Sequence, residues 1–141
     1  MKKIDIELTK KGHPAIWEKG GGMSNTGYAT IVAGAQGEKL IPAYVNRRGH
    51  LAIGKHALFI IHPGYYVVLA DHHRGDFEIE VYRITSIDKK EQLANVELVC
   101  EYSMGEWDVE PPGFLKLAID AAVDKASCYH CRETHYAEIG E

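Results

Sequence analysis

Tyr65-Tyr66-Val67-Val68-Leu69-Ala70-Asp71, then His72-His73-Arg74-Gly75-Asp76, then Phe77-Glu78-Ile79-Glu80-Val81 is the stretch that decides the fold class. The first segment is apolar on both faces and strand-sized, so it belongs at the centre of a sheet. The second is a turn. The third alternates apolar residues with glutamate and continues to about Ile87, as a strand with one wet face does. A buried strand joined by a short turn to a half-wet neighbour predicts an antiparallel sheet.

The same grammar extends in both directions. Downstream, Asp88–Gln92 is a charged turn, and Val96, Leu98, Cys100 and Tyr102 alternate with Glu97 and Glu101 in a last long strand. Upstream, His62-Pro63-Gly64-Tyr65 is a turn in which Pro fixes φ and Gly supplies a positive one. His50–Ile61 precedes it as a strand candidate interrupted at Gly54-Lys55. Tyr28–Ala33 and Lys39–Val45 read as strands joined by the hairpin turn Gly34-Ala35-Gln36-Gly37, and Asn46-Arg47-Arg48-Gly49 as the turn that follows. Ile4, Ile6 and Leu8 alternate with charge in a half-buried strand, and residues 13–18 form a weaker extended candidate. Lys19–Gly27, with three consecutive glycines, reads as an irregular loop. Pro111-Pro112-Gly113 ends the β region. Leu115, Ile119, Ala122 and Ala126 then repeat at helical spacing through Phe114–Ser127. The many alanines of that helix imply close approach to the sheet or to a second copy of the chain.

The expectation is therefore a single domain, residues 1–141, of mainly β (α+β) class. Residues 1–110 form an antiparallel meander or partly open barrel, and residues 111–137 a C-terminal helix packed on it. A chain of 141 residues is long enough to bury a core without disulfides. Three cysteines, two of them close together, do not describe a secreted disulfide framework. Met1–Leu8 lacks a signal peptide's apolar stretch, and the longest apolar runs, Ala57–Ile61 and Tyr65–Ala70, are too short to span a bilayer. A cytoplasmic location and no membrane partner follow as expectations. The net charge of −4 argues against a general nucleic-acid coat protein, although it is unevenly spread. Residues 1–84 carry 11 basic and 8 acidic side chains, and residues 85–141 carry 5 and 12.

Two features bear on chemistry. Cys128, Cys131 and His135 follow a C-x2-C-x3-H pattern. On a helix continuing past Ser127 they fall within a sector of about 60°. Two thiolates and an imidazole converging on one point suit zinc. A closed structural site needs a fourth ligand, from Cys100, an N-terminal histidine or another subunit; a catalytic site leaves that place to water. Alternatively, Cys128 and Cys131 are buried hydrophobes in line with Phe114, Leu117 and Ala121. A redox dithiol ranks lower, since a reactive C-x2-C usually opens a helix, where the dipole lowers the thiol pKa. Cys100, alternating with Val96, Leu98 and Tyr102, reads as a packed core thiol.

The second feature is a set of loops. If strands simply run up and down and Gly54-Lys55 is a kink within one strand, the Gly20–Gly27, Asn46–Gly49 and His72–Asp76 connections share one end of the sheet; if Gly54-Lys55 reverses the chain, the last moves to the opposite end. The shared end would gather Lys19, Arg47, Arg48, His50, His72, His73 and Arg74, with Trp17, Tyr28 and Tyr44 as stacking surfaces. Arg47, Arg48, His72, His73 and Arg74 are the candidate ligands for an anion such as phosphate, carboxylate or a nucleic-acid backbone. Each piece has an ordinary explanation as a solvated turn, and His72 and His73 point to opposite faces if the strand is regular.

There is no catalytic triad, nucleophile elbow or His-Glu-x-x-His. Glu106, Asp108 and Glu110 alternate as a wet face. The functional expectation is a small zinc-binding module that binds or assembles with an anionic ligand or partner. Alternatives are a metal-dependent hydrolase with an open coordination position, and RNA or single-stranded DNA binding at the basic loop end. The alanine-rich helix and the missing fourth ligand allow a homodimer.

Overall fold

A computed structural model describes residues 2–23, 25–40, 56–127 and 136–138. Ten strands are defined: β1 (Lys2–Asp5), β2 (Glu7–Leu8), β3 (Pro14–Met23), β4 (Thr26–Ala33), β5 (His56–Ile60), β6 (Tyr66–His73), β7 (Asp76–Asp88), β8 (Leu93–Ser103), β9 (Glu106–Trp107) and β10 (Tyr136–Glu138). A 3-10 turn, Gly113–Leu115, leads into helix α1 (Lys116–Ser127). The strand order is β1-β8-β7-β6-β4-β3-β5-β10, with β2 on β3 and β9 on β8. Because β1 pairs with β8 and β2 pairs with β3, the first strand bridges the two ends of the meander. The antiparallel sheet is thereby nearly closed into a barrel with one unsealed seam, and the C-terminal helix packs on its outside.

The central apolar run is β6, flanked by β4 and β7. Both its faces are covered. Val68 and Ala70 join Ile79, Val81 and Cys100 beneath the helix, while Val67 joins Ile16, Val32, Tyr82 and Ile84 inside the barrel. Two separate cores thus use the two faces of one sheet, which is why β6 has no polar alternation before Asp71. β7 and β8 shift register between Val81 and Tyr82 and again between Ile84 and Ser86. Such bulges bend and twist a strand. The first skips Val99 of β8, so that Val96 faces the barrel interior and Cys100, four residues on, faces the helix.

The helix presents the expected stripe to the sheet. Leu115, Ala122 and Ala126 are fully buried, and Ile119 nearly so. Its alanines serve close approach to the sheet, over Ala29 and Ala70. Gly20 of β3 belongs to the same contact: a Cβ there would lie 2.8 Å from the Lys125 Cγ and 2.9 Å from the Tyr28 carbonyl.

The structure differs from the sequence expectations in two places, and a third expectation lies mostly outside the described residues. Gly20-Gly21-Gly22 is not an irregular loop; it is ladder, paired with Ala29-Tyr28-Gly27. Backbone pairing and a helix pressed against the strand tolerate, and at Gly20 require, residues without side chains. Of the strand expected at residues 39–45, Lys39 makes an isolated bridge to Ala33, and residues 41–45 lie outside the described residues. The C-terminal helix was expected to reach residue 137, yet Tyr136-Ala137-Glu138 is a strand, parallel to His56-Ala57-Leu58. There, pairing with a sheet edge overrides local helical spacing, as tertiary contacts commonly do.

Candidate functional site

Two places on the barrel concentrate chemistry. The first is the end of the sheet where hairpins reverse. The register Thr26↔His73 and Gly27↔His72 sets the β3–β4 tip beside the β6–β7 turn. The two tips are tied by a hydrogen bond from the Arg74 amide to the Asn25 carbonyl, 2.5 Å. Co-location of the Gly20–Gly27 and His72–Asp76 connections, expected from strand parity, is therefore observed. The third connection, with Arg47, Arg48 and His50, lies outside the described residues, as does Tyr44.

Within this end the candidate side chains do not converge. His72 stacks on Phe77, its cross-strand partner, with ring centroids 4.6 Å apart and planes 12° from parallel. Its Nε2 accepts the Gly75 amide at 3.2 Å, while Nδ1 is buried with no hydrogen-bond partner among the described residues. His73, the adjacent strand residue, is exposed and takes the opposite face. Arg74 occupies the tip with φ of 51°, followed by Gly75 at 90°, the two positive values that a tight hairpin turn demands. Asp71, Asp76 and Glu78 are exposed on the same hairpin, so its local field is not basic. Lys19, which pairs with Thr30, stands several residues below the tip.

The second place is the seam. Between Asp5 and Glu7 the first strand changes partner from β8 to β3, and Ile6, whose amide bonds the Gln92 carbonyl at 3.1 Å, turns its side chain into the core. On its facing edge, β3 pairs with β2 at Pro14-Ala15 and with β4 from Lys19 onward. Residues 16–18 have no strand on that edge among the described residues. There a cleft of about 590 Å³ opens into the barrel. Its floor is Ile6, Ile16, Val67 and Leu69. Trp17 forms one wall, its indole N–H donating to Glu7 Oε2 at 2.8 Å. Glu18 stands at the same break in pairing. It accepts the Val32 amide at 3.1 Å and reaches Lys125 Nζ at 3.7 Å, with both side chains over four-fifths buried. Burial pushes its carboxyl above the ordinary carboxylate value, against the opposing pull of Lys125.

Comparison with family models, with curated proteins and with solved structures returns no match. Function has to be argued from this chain's own residues.

The Cys128, Cys131 and His135 cluster lies outside the described residues. No group of three or more His, Cys, Asp or Glu side chains able to hold a metal occurs among the described residues. Cys100 is sealed beneath α1 with no exposed surface. Burial first, and Asp108 second, push its thiol up to about 11. It is a core residue, as expected, but not on the face of Val96 and the exposed Leu98: the register shift that skips Val99 turns Cys100 to the helix side while Val96 faces the barrel interior. The stripe once considered for burying Cys128 and Cys131 begins with Phe114 and Leu117, which are 48% and 71% exposed. No helix among the described residues is long and apolar enough to cross a membrane.

The seam cleft was not found from the sequence. Its only signal there is Ile6 between Asp5 and Glu7, a pattern shared by any half-buried strand.

Proposed function

We propose that this chain is a non-enzymatic binding module in which zinc, held by Cys128, Cys131 and His135, fastens the C-terminal strand to the barrel. The supporting observation is that the connection carrying these residues is anchored at both ends. On one side α1 is held by its buried alanines and by Lys125 on Glu18. On the other, Tyr136–Glu138 is laddered to β5. Residues 128–135 have to join these two fixed points, and a metal clip there orders a connection whose ends are already placed. The donor set of two thiolates and one imidazole matches zinc's preference for sulfur and nitrogen. A fourth ligand would come from Cys100, an N-terminal histidine or a second copy of the chain. The strand at Tyr136 also means that convergence cannot depend on a helix running through residue 137; His135 directly precedes an extended residue.

Elemental analysis of purified protein should find one zinc per chain, lost in Cys128→Ser and Cys131→Ser. Metal affinity and folding are linked, so a strong chelator should lower the melting temperature by several degrees. Metal-free protein from zinc-supplemented growth, with a melting temperature indifferent to chelator, would end the proposal.

A further inference from the structure

We infer that the seam cleft binds a small molecule with an apolar body and a primary amine head. The inference names a ligand for the binding module and stands whether or not the zinc proposal does, because none of its residues belongs to the cysteine segment.

The body is specified by the floor. Ile6, Ile16 and Val67 are buried and Leu69 is partly buried, so an occupant meets an apolar surface continuous with the barrel core. A volume of about 590 Å³ lies within the range of ligand pockets, roughly 300–1,000 Å³, and β-barrel mouths are a recurrent place for them. The cavity is a consequence of topology. One strand serves both ends of the meander, breaks its pairing at Ile6, and among the described residues leaves the facing edge of β3 without a partner strand between Ala15 and Lys19.

The head is specified by charge. The carboxylates of Asp5 and Glu7 come from the break in the first strand, and that of Glu91 from the β7–β8 turn; against these three the lining holds one cation, Lys19. All three acids are exposed, and their clustering makes the mouth attractive to a cation. Glu7 is fixed in place by the Trp17 indole N–H, which leaves its second oxygen to accept from an ammonium. The Trp17 ring is itself part of the lining. An anionic head group would meet three like charges in the same mouth.

Three probes with one body separate these contributions: phenylbutylamine, phenylbutanol and phenylbutanoate, titrated into the full chain at low salt. The amine should bind at least about tenfold more tightly than the alcohol, a difference of about 1.4 kcal/mol, and the acid more weakly than either. The Trp17 indole resonance should shift on binding. That of Trp107, which packs against Tyr102 on the helix side, should not. In the double variant Glu7→Gln, Glu91→Gln, amine and alcohol should converge to within about threefold while the alcohol's affinity holds. Should that double variant fold poorly, Glu91→Gln alone, in an exposed turn, should narrow the gap. Equal binding of all three probes, no binding at millimolar concentration, or a response at Trp107 instead of Trp17 would overturn the inference.

Discussion

Glu18 occupies the point where β3 leaves β4 for β5, and it answers a local deficit. The β3–β4 ladder begins at Lys19↔Thr30, so the Val32 amide is beyond its reach and is satisfied by the Glu18 carboxylate. Removing that acceptor with Glu18→Ala should cost about 1–3 kcal/mol, the usual penalty for a buried polar group left unpaired. Glu18→Gln keeps an acceptor for Val32 and should cost clearly less, in chemical denaturation at neutral pH. The two variants also separate burial from ion pairing. Since burial raises the folded carboxyl above its ordinary value of 4.5, the native state holds the extra proton between that value and the raised one. Stability contributed by Glu18 is then fully present below 4.5 and is lost as pH rises through the folded value. The melting temperature of the wild type relative to Glu18→Gln should accordingly rise on acidification from neutral pH to 4.5. A fall would mean that attraction to Lys125, and not burial, governs this carboxyl.

Elements were legible in the sequence wherever one periodicity covered the whole segment. The α1 stripe of Leu115, Ile119, Ala122 and Ala126 is buried as its spacing implied, and the apolar β6 is central because it has a core on each side. The turn at His62–Tyr65 closes with the Tyr65 amide on the His62 carbonyl at 3.1 Å and Gly64 at φ of 96°. Elements whose role depends on a distant partner were not legible. Three glycines are the composition of a loop, and only the helix lying over Gly20 gives them a reason to be strand. Tyr136–Glu138 is strand because β5 offers an edge, and a window on its own sequence contains no trace of that. The seam has the same character, since it arises from one strand having two partners. Site residues fared according to the same rule: strand parity placed two loops at one end, but carried no information on whether His72 and His73 converge. For α1 the stripe supplies a direct contrast. Leu115→Ala should cost about 2–5 kcal/mol by opening a cavity in a packed core. Leu117→Ala, two residues on and 71% exposed, should stay within about 0.5 kcal/mol. Comparable losses in urea denaturation would mean that the outer face of α1 is covered in solution.

At the scale of the whole molecule, the barrel is closed by its weakest member. β6 and β7 have long ladders on both edges, whereas β2 contributes two residues and β10 three. Among the described residues, opening the seam breaks the β2–β3 pairs and the Trp17–Glu7 and Ile6–Gln92 hydrogen bonds and withdraws Ile6, which leaves the core beneath α1 untouched, because the two apolar clusters lie on opposite faces of the sheet. Protection from hydrogen exchange should therefore be graded. The amides of Val67–Ala70 and Ile79–Val81 should exchange only through global unfolding, with the free energy measured by denaturation. Those of Ile6–Leu8 should exchange through a local opening several kcal/mol easier, insensitive to low denaturant, as segments with few pairing partners do. A saturating occupant of the cleft should slow exchange at Ile6 and Glu7, and by the same factor at Val68 and Val81, since it would bind the closed seam and neither the locally opened nor the unfolded chain. Uniform protection across all these amides would mean that the barrel opens as one unit, so that a ligand would enter without the seam yielding at Ile6.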